Sequence, residues 1–264
     1  MKKDMSEIKI IFFDIDGTLI DMNRKQITQK TLLALQQLQE KGIKICLASG
    51  RPPIQLPHFD NVDFDAFLTF NGSYCYTKEQ KVVHKNALLK SDVKQMVHNA
   101  RQLNRALSVA TKDRTLANSI DEDLVAYYGV GGFKVEVDAH FEQVIDQEEV
   151  FQMMISGRKE EYPAMLKDVK AAAITAWWDR AFDVIPKDGG KGVGVEKVLA
   201  HYGFDRMQAM AFGDGGNDIE MLQAVGHGIA MGNALDEIKN IADDVCGSVT
   251  EDGIYYYCKE KGLI

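Results

Sequence analysis

The sequence lacks a long apolar run, a cluster of basic residues and any internal repeat. Its first apolar run, residues 8–13, is too short for a signal-peptide core or a membrane span. Acidic residues outnumber basic ones by 39 to 31, and the formal net charge is −8. Such a chain has no general attraction for nucleic acid or for an anionic membrane. We therefore expect a cytoplasmic protein without either partner, as a monomer or a small homo-oligomer.

Cysteine and histidine are also sparse, and neither shows the spacing of a metal site. The four cysteines are scattered, at Cys46, Cys75, Cys246 and Cys258. In a cytoplasmic chain of this size they are expected to be reduced and mostly buried. A zinc site or a catalytic cysteine is the weaker alternative, and the six histidines are expected to be structural or solvated.

The two ends of the chain alternate between strand and helix patterns. Residues 8–13 form a nearly continuous apolar run, which is typical of a strand covered on both faces of a parallel sheet. Residues 43–48, 65–70 and 207–212 predict further strands. Thr28 suits the N-cap of an intervening helix, and Gly42 suits its end. This alternation predicts an α/β fold with a doubly wound, Rossmann-like parallel sheet.

The middle of the chain has a different pattern and predicts a smaller inserted α+β domain. Strands are predicted near residues 82–84, 106–110, 150–156, 172–178 and 182–185. Helices are predicted at 91–104 and 159–169, with a glycine-rich turn at 129–132. We place the insertion at 83–183 and the core domain at 1–82 and 184–264.

Two acidic residues follow the first predicted strand, in the segment Asp14-Ile15-Asp16-Gly17-Thr18. At this spacing one carboxylate can bind a cation and attack, while the other gives or takes a proton. Gly17 permits the tight backbone that would bring both to a ligand. The competing interpretation is a strand-to-turn junction made of acidic turn formers.

A second acidic segment, Gly213-Asp214-Gly215-Gly216-Asn217-Asp218, follows the predicted strand at 207–212. Oxygen ligands of this kind suit a hard cation such as Mg²⁺. The alternative is a glycine-rich turn with Asn217 or Asp218 as a helix cap. Both segments lie at the carboxyl ends of predicted parallel strands, where open α/β sheets bind ligands.

A weaker signal comes from residues that can hold a phosphate. Ser49-Gly50-Arg51 ends the second strand, and Lys191 lies at a predicted helix start. The hydroxyl, the backbone amides and the lysine can bind an anion together. Alone, they are better explained as a turn serine and a solvated lysine.

Together these motifs resemble the haloacid dehalogenase superfamily, in the Cof-type subfamily with a type IIB cap. The four signature motifs occur in order as Asp14–Thr18, Ala48–Arg51, Lys191-Gly192 and Gly213–Asp218, and a later Ala230-Met231-Gly232-Asn233 also fits. The resemblance covers the whole chain. It implies a Mg²⁺-dependent phosphatase that acts on a small phosphorylated metabolite.

The resemblance also implies a role for each motif residue. Asp14 would attack phosphorus and become an aspartyl phosphate, and Asp16 would act as general acid and then as general base. The ligands implied for Mg²⁺ are Asp14, the backbone carbonyl of Asp16, Asp214 and Asp218. The residues implied or considered for phosphate or substrate binding are Gly17, Thr18, Ser49, Gly50, Arg51, Asn71, Lys191, Asn217, Trp178 and Arg180. Because the dehalogenases of the family lack the acid-base aspartate, Asp16 argues for phosphate chemistry.

The substrate rests on analogy, with a sugar phosphate as the favoured class. Trp177, Trp178, Arg180 and Asp183 are candidates to contact it from the inserted domain, since tryptophan can stack on a sugar and arginine can hold hydroxyls or a phosphate. Packing in the domain core is the competing role for each. Flavin mononucleotide and pyridoxal phosphate also stay open as substrates.

Two other functions fit parts of the pattern. A phosphomutase uses the same four motifs and returns the phosphoryl group to a sugar. A sugar-phosphate sensor without turnover would be favoured by loss of Asp14, Asp16 or Lys191, but all three are present.

Overall fold

The computed structural model describes residues 7–264, so the first six residues of the predicted core domain lie outside the described part. The chain forms two compact units. The first comprises the chain up to Gly50 together with Pro57–His84 and Lys191–Ile264; the second comprises Arg51–Leu56 and Lys85–Gly190. No helix within residues 7–264 has the length and apolar character needed to cross a membrane.

Thirteen strands and nine helices are defined in the described residues. The strands are β1 (Ile10–Phe13), β2 (Lys44–Ala48), β3 (Ala66–Thr69), β4 (Tyr74–Thr77), β5 (Val82–Lys85), β6 (Leu107–Ala110), β7 (Thr115–Ala117), β8 (Gln152–Ser156), β9 (Ala172–Thr175), β10 (Ala181–Pro186), β11 (Ala209–Gly213), β12 (His227–Ala230) and β13 (Asp244–Val245). The helices are α1 (Gln29–Glu40), α2 (Lys90–Gln102), α3 (Glu122–Val130), α4 (Phe141–Gln147), α5 (Tyr162–Met165), α6 (Lys191–Tyr202), α7 (Ile219–Ala224), α8 (Asp236–Ile241) and α9 (Gly253–Glu260).

The first unit is built on an eight-stranded sheet in the order β13-β12-β11-β1-β2-β3-β4-β5. The strands from β13 to β3 pair in parallel, and β4 pairs antiparallel to β3. All four residues of β1 are buried, as expected for a central strand covered on both faces. The predicted doubly wound α/β fold is confirmed.

Helix α1 begins and ends at residues whose side chain or backbone suits those positions. Thr28 caps α1, since its side chain accepts a hydrogen bond from the backbone N–H of Thr31. Gly42, just past the end of α1, has a φ of +77°, a conformation that glycine adopts without steric cost. Both residues play the parts that the sequence predicted.

The second unit contains an antiparallel sheet in the order β7-β6-β8-β10-β9. Buried residues of α2, α4 and α5 pack with one face of this sheet in a separate apolar core. The unit ends beyond the predicted 183, because β10 continues to Pro186 before the chain turns. The strand predicted at 82–84 is β5, which belongs to the sheet of the first unit.

Two predicted elements of the second unit are only partly correct. Of the turn predicted at 129–132, residues 131–132 form a turn, whereas Gly129 and Val130 are the last residues of α3, which is capped at its start by Asp121 through the N–H of Leu124. The helix predicted at 159–169 is only a 3-10 turn followed by the single turn α5, and Asp168 has a left-handed φ of 61°.

The four cysteines are buried and form no disulfide, as predicted. Burial raises the pKa of Cys246 and of Cys258 to about 12, which leaves both thiols protonated near neutral pH.

Candidate active site

The predicted acidic motifs meet where β1 and β11 end side by side. Phe13 and Phe212 are paired across the two strands, and their rings stack with centroids 5.3 Å apart. The backbone N–H of Asp14 then donates to the carbonyl of Phe212, at 3.0 Å. This register places Asp14 beside the glycine turn that carries Asp214.

Lys191 joins the two motifs through a pair of short ion pairs. Its Nζ lies 2.5 Å from Asp14 Oδ1 and 2.6 Å from Asp218 Oδ1. The lysine is only 1% exposed, although it is the first residue of α6. A cation at a helix N-terminus is disfavoured by the helix dipole, so the two carboxylates are what stabilise its charge there.

Asp218 is held rigidly by its second oxygen. Asp218 Oδ2 accepts hydrogen bonds from the backbone N–H groups of Asp214 and Gly215, at 3.0 and 2.9 Å. A Cβ at Gly213 would lie 2.6 Å from the Cβ of Asp218, so only glycine fits this close approach. Asp218 is fully buried, and both of its oxygens have partners.

Asp214 is held by residues from two other loops. Thr18 Oγ1 donates to Asp214 Oδ1 at 2.9 Å, and Asn233 Nδ2 lies 3.3 Å from Asp214 Oδ2. The same Asn233 Nδ2 donates to the carbonyl of Gly17 at 2.9 Å. The hydroxyl hydrogen of Thr18 is given to Asp214. The backbone N–H of Thr18 is therefore the donor that remains for a phosphate.

The cluster carries more negative charge than its lysine can balance. Burial, reinforced by the charge of Asp218, raises the pKa of Asp14 well above its usual value. The same two causes raise the pKa of Asp214 to about 7. Burial alone would lower the pKa of Lys191, but Asp14 and Asp218 outweigh it and raise the pKa, so the lysine stays charged.

This donor set fits a hard divalent cation. Asp14, Asp214 and Asp218 each offer a carboxylate oxygen, and these oxygens lie within 4.8 Å of one another. All the donors are oxygens, as Mg²⁺ prefers, and a bound cation would offset the charge that raises the two aspartate pKa values. The side chain of Asp16 is not a member of this group.

The predicted phosphate-binding residues of the first unit lie at the same edge of the sheet. Ser49 follows β2 and is buried, and its carbonyl accepts from the backbone N–H of Asn71 at 2.9 Å. Asn217 Nδ2 donates to Asn71 Oδ1, also at 2.9 Å. A Cβ at Gly50 would lie 3.1 Å from the Asn71 amide, so Gly50 leaves room for this pair.

The other substrate candidates belong to the second unit and have partners there. Arg180 forms an ion pair with Asp123 at 2.6 Å, and its guanidinium lies 5.3 Å from the ring centre of Trp178. Arg51 donates to the carbonyl of Gln55 at 3.1 Å. Asp183 is 1% exposed and accepts a hydrogen bond from Tyr127, whereas Trp177 is 40% exposed.

Neither a role for Asn233 nor the hydrogen-bond partners of Asp214 were predicted from the sequence. Asn233 stood out only as part of a motif that fits the family. Its distance of 216 residues from Gly17 along the chain leaves no local pattern that could reveal the contact.

Comparison with known proteins agrees with the fold and the motifs. The family model of haloacid dehalogenase-like hydrolases matches residues 11–258. The Bacillus subtilis protein YkrA, named provisionally as a phosphatase, is 34% identical over 257 residues, which cover 97% of this chain and 98% of YkrA.

Two further relatives carry more specific names. YitU of Bacillus subtilis, a 5-amino-6-(5-phospho-D-ribitylamino)uracil phosphatase, is 30% identical over 264 residues, covering 95% of this chain and 96% of YitU. The solved structure of BT4131, a sugar phosphatase of subclass IIB, matches with a TM-score of 0.87 at 31% identity, covering 97% of this chain and 100% of that chain.

Proposed function

Because the chain belongs to the haloacid dehalogenase-like hydrolases, as a Cof-type phosphatase that cleaves phosphoric monoesters, we propose that it is Mg²⁺-dependent and uses Asp14 as its nucleophile. The observation that carries this proposal is the buried contact of Lys191 with both Asp14 and Asp218. It joins three of the four family motifs in a single cluster of charges at the carboxyl edge of the sheet. The membership confirms the resemblance that the motifs indicated.

In the first step, an oxygen of Asp14 attacks phosphorus as the bond to the leaving oxygen breaks. Asp16, two residues further along the same loop and only partly buried, gives its proton to that leaving oxygen. In the second step Asp16 takes a proton from water as the water attacks phosphorus. Phosphate is released and the carboxylate of Asp14 is restored.

Mg²⁺ would be held by Asp14, Asp214, Asp218 and the backbone carbonyl of Asp16. It would neutralise charge on the phosphoryl oxygens, which otherwise repel the attacking carboxylate. Lys191 supplies a second positive charge at Asp14, and burial strengthens its effect by excluding water.

The transferring phosphoryl group would be bound by Ser49, Gly50, Asn217 and Lys191, with the backbone of Gly17 and Thr18 beside it. Asn71 is assigned to support this set through its hydrogen bond with Asn217. The Asn71 backbone has a left-handed φ of 52°, which asparagine tolerates better than most residues do. The local backbone thus favours asparagine at this position.

We propose a small phosphorylated metabolite as the substrate, with a sugar phosphate favoured. The relative BT4131 is a sugar phosphatase, and YitU acts on a compound that carries a phosphorylated ribityl chain. The second unit would provide specificity, and Trp178 remains a candidate to stack on a sugar. Arg180 and Arg51 would have to rearrange or share their present partners to bind the substrate. A cytoplasmic location and the oligomeric state stay predictions of the sequence.

The proposal is tested by phosphate release from p-nitrophenyl phosphate and a panel of sugar phosphates. We expect release with Mg²⁺, no release in EDTA, and a loss of at least about 10³-fold in Asp14→Asn protein because the nucleophile is removed. Full activity in the EDTA reaction would contradict the metal dependence. Retained activity of Asp14→Asn protein, with contaminating phosphatases excluded, would contradict the nucleophile. Transfer of the phosphoryl group to a sugar in the presence of added bisphosphate, with little phosphate released, would favour the phosphomutase.

A further inference from the structure

Asn233 contacts three separate loops of the first unit with one amide group. Its Nδ2 donates to the Gly17 carbonyl at 2.9 Å and lies 3.3 Å from Asp214 Oδ2. Its Oδ1 accepts from the backbone N–H of Val249 at 2.9 Å. These three groups use both hydrogens and one acceptor site of the amide.

The partners also determine which way the amide points. The Val249 N–H needs an acceptor, whereas the Gly17 carbonyl and the Asp214 carboxylate need donors. Only one of the two amide orientations satisfies all three. A reversed amide would set its oxygen against the carbonyl of Gly17 and its NH₂ against the N–H of Val249.

The two donor contacts converge on the backbone and carboxylate that form one side of the acidic cluster. Gly17 follows Asp16, and a Cβ built on Gly17 would lie 2.2 Å from Asp214 Oδ2, so the loop and the carboxylate are in close contact. Thr18 holds the other oxygen of Asp214 at 2.9 Å. Asp214 therefore has a hydrogen-bond donor directed at each of its oxygens.

We infer that Asn233 is a positioning residue. It holds Asp214 directly, and through the Gly17 carbonyl it holds the loop that carries Asp16, in the arrangement that binds the divalent cation. The inference rests on the proposed function, because it assigns Asp214 to that cation. Partners that orient a metal-binding carboxylate typically change metal affinity by about 10- to 100-fold when they are removed. An asparagine serves here and an aspartate does not, because a second carboxylate would repel Asp214 and the Gly17 carbonyl.

The simpler alternative is that Asn233 only fastens the loop at Val249. Fastening the loop needs only the amide oxygen, which accepts from Val249. The positioning role needs the amide hydrogens, which are donated to Gly17 and Asp214. Asn233→Asp separates the two, since it keeps an acceptor for Val249 and removes both donors. Asn233→Ala removes all three contacts. Asn240→Ala is a matched control, because Asn240 is an exposed asparagine of α8 in the same unit.

The test is Mg²⁺ binding to the complete protein by calorimetry, with the melting temperature in EDTA and kcat at saturating Mg²⁺ measured beside it. We expect Asn233→Ala to weaken Mg²⁺ binding roughly tenfold. We expect kcat of Asn233→Asp protein to fall at least about tenfold although its contact with Val249 is kept. Its melting temperature in EDTA should also fall, because the new carboxylate repels Asp214. We expect Asn240→Ala to change neither quantity.

Unchanged Mg²⁺ affinity in Asn233→Ala, together with unchanged kcat in Asn233→Asp, would overturn the inference and leave only the loop-fastening role. In that case Mg²⁺ binding by the unchanged protein would still support the proposed function. If the unchanged protein binds no Mg²⁺, both the inference and the metal dependence are overturned.

Discussion

At the scale of single residues, Gly17 shows how closely the nucleophile loop approaches the second acidic motif. Its φ is +92°, and a Cβ there would lie 2.2 Å from Asp214 Oδ2. The sequence predicted that a glycine was needed for a tight turn. It could not predict the contact with Asp214, which depends on the pairing of β1 with β11.

We predict that Gly17→Ala lowers kcat by about 10²-fold or more, because the added methyl group displaces the Asp214 carboxylate. Gly42→Ala is the matched control. Gly42 also has a positive φ, of +77°, but its Cβ would meet no atom within 4 Å. Both variants should lose about 1–3 kcal/mol of stability from backbone strain, as measured by chemical denaturation.

Only the variant at position 17 should lose phosphatase activity and Mg²⁺ affinity. Equal activity in the two variants would mean that the approach of Gly17 to Asp214 does not matter for catalysis. The comparison thus separates backbone strain from the geometry of the site.

Residue types with fixed chemical preferences were the most predictable part of the site. Asp14, Asp214 and Asp218 were assigned by type and by their place after predicted strands, and Lys191 was assigned through the family resemblance. The structure brings the four side chains together. Thr18 was assigned to the phosphate, yet its hydroxyl donates to Asp214. A hydroxyl has many possible partners, so its type alone does not select one.

At the scale of elements, predictions succeeded where the local sequence carries a strong signal. The buried strand β1 follows from a nearly continuous apolar run, and helix α6 begins at Lys191, the predicted helix start. The edge strand β5 was assigned to the wrong domain. The strand has only four residues and none of them is buried, so its local pattern carries no information about the sheet it joins.

Helix α3 was missed for a related reason. Its pattern is weakly amphipathic, and the glycine at position 129 favours a turn. The cap at Asp121 and the hydrogen bond between Tyr128 and Ser108 of β6 add tertiary stabilisation that a local pattern does not contain. In this segment the tertiary contacts outweigh the local preference of the sequence for a turn.

At the scale of the whole molecule, the buried acidic cluster links stability to pH. The pKa of Asp214 is raised to about 7 by burial and by Asp218, from an ordinary value of 3.8. The folded protein therefore binds a proton that the unfolded chain has released when the pH lies between these values. The free energy of unfolding should decrease as the pH rises through that window and level off above it.

We predict that the melting temperature in EDTA falls between pH 5 and pH 7 more steeply than in an Asp214→Asn variant. The contribution of a single group has a ceiling of about 1.4 kcal/mol per pH unit. Saturating Mg²⁺ should reduce the difference, because a bound cation holds the carboxylate ionised. Parallel melting curves for the two proteins in EDTA would contradict this account of Asp214.

The central claim is that Asp14 carries the phosphoryl group during turnover. The most direct test is to mix the enzyme with Mg²⁺ and p-nitrophenyl phosphate, quench with acid within milliseconds, and locate covalent phosphate by mass spectrometry. We predict phosphate on the peptide that contains Asp14, with more accumulating in Asp16→Ala protein, because the phenolate leaves without a proton while water attack lacks its base. Active enzyme with phosphate on another residue, or with none in either protein, would contradict the claim.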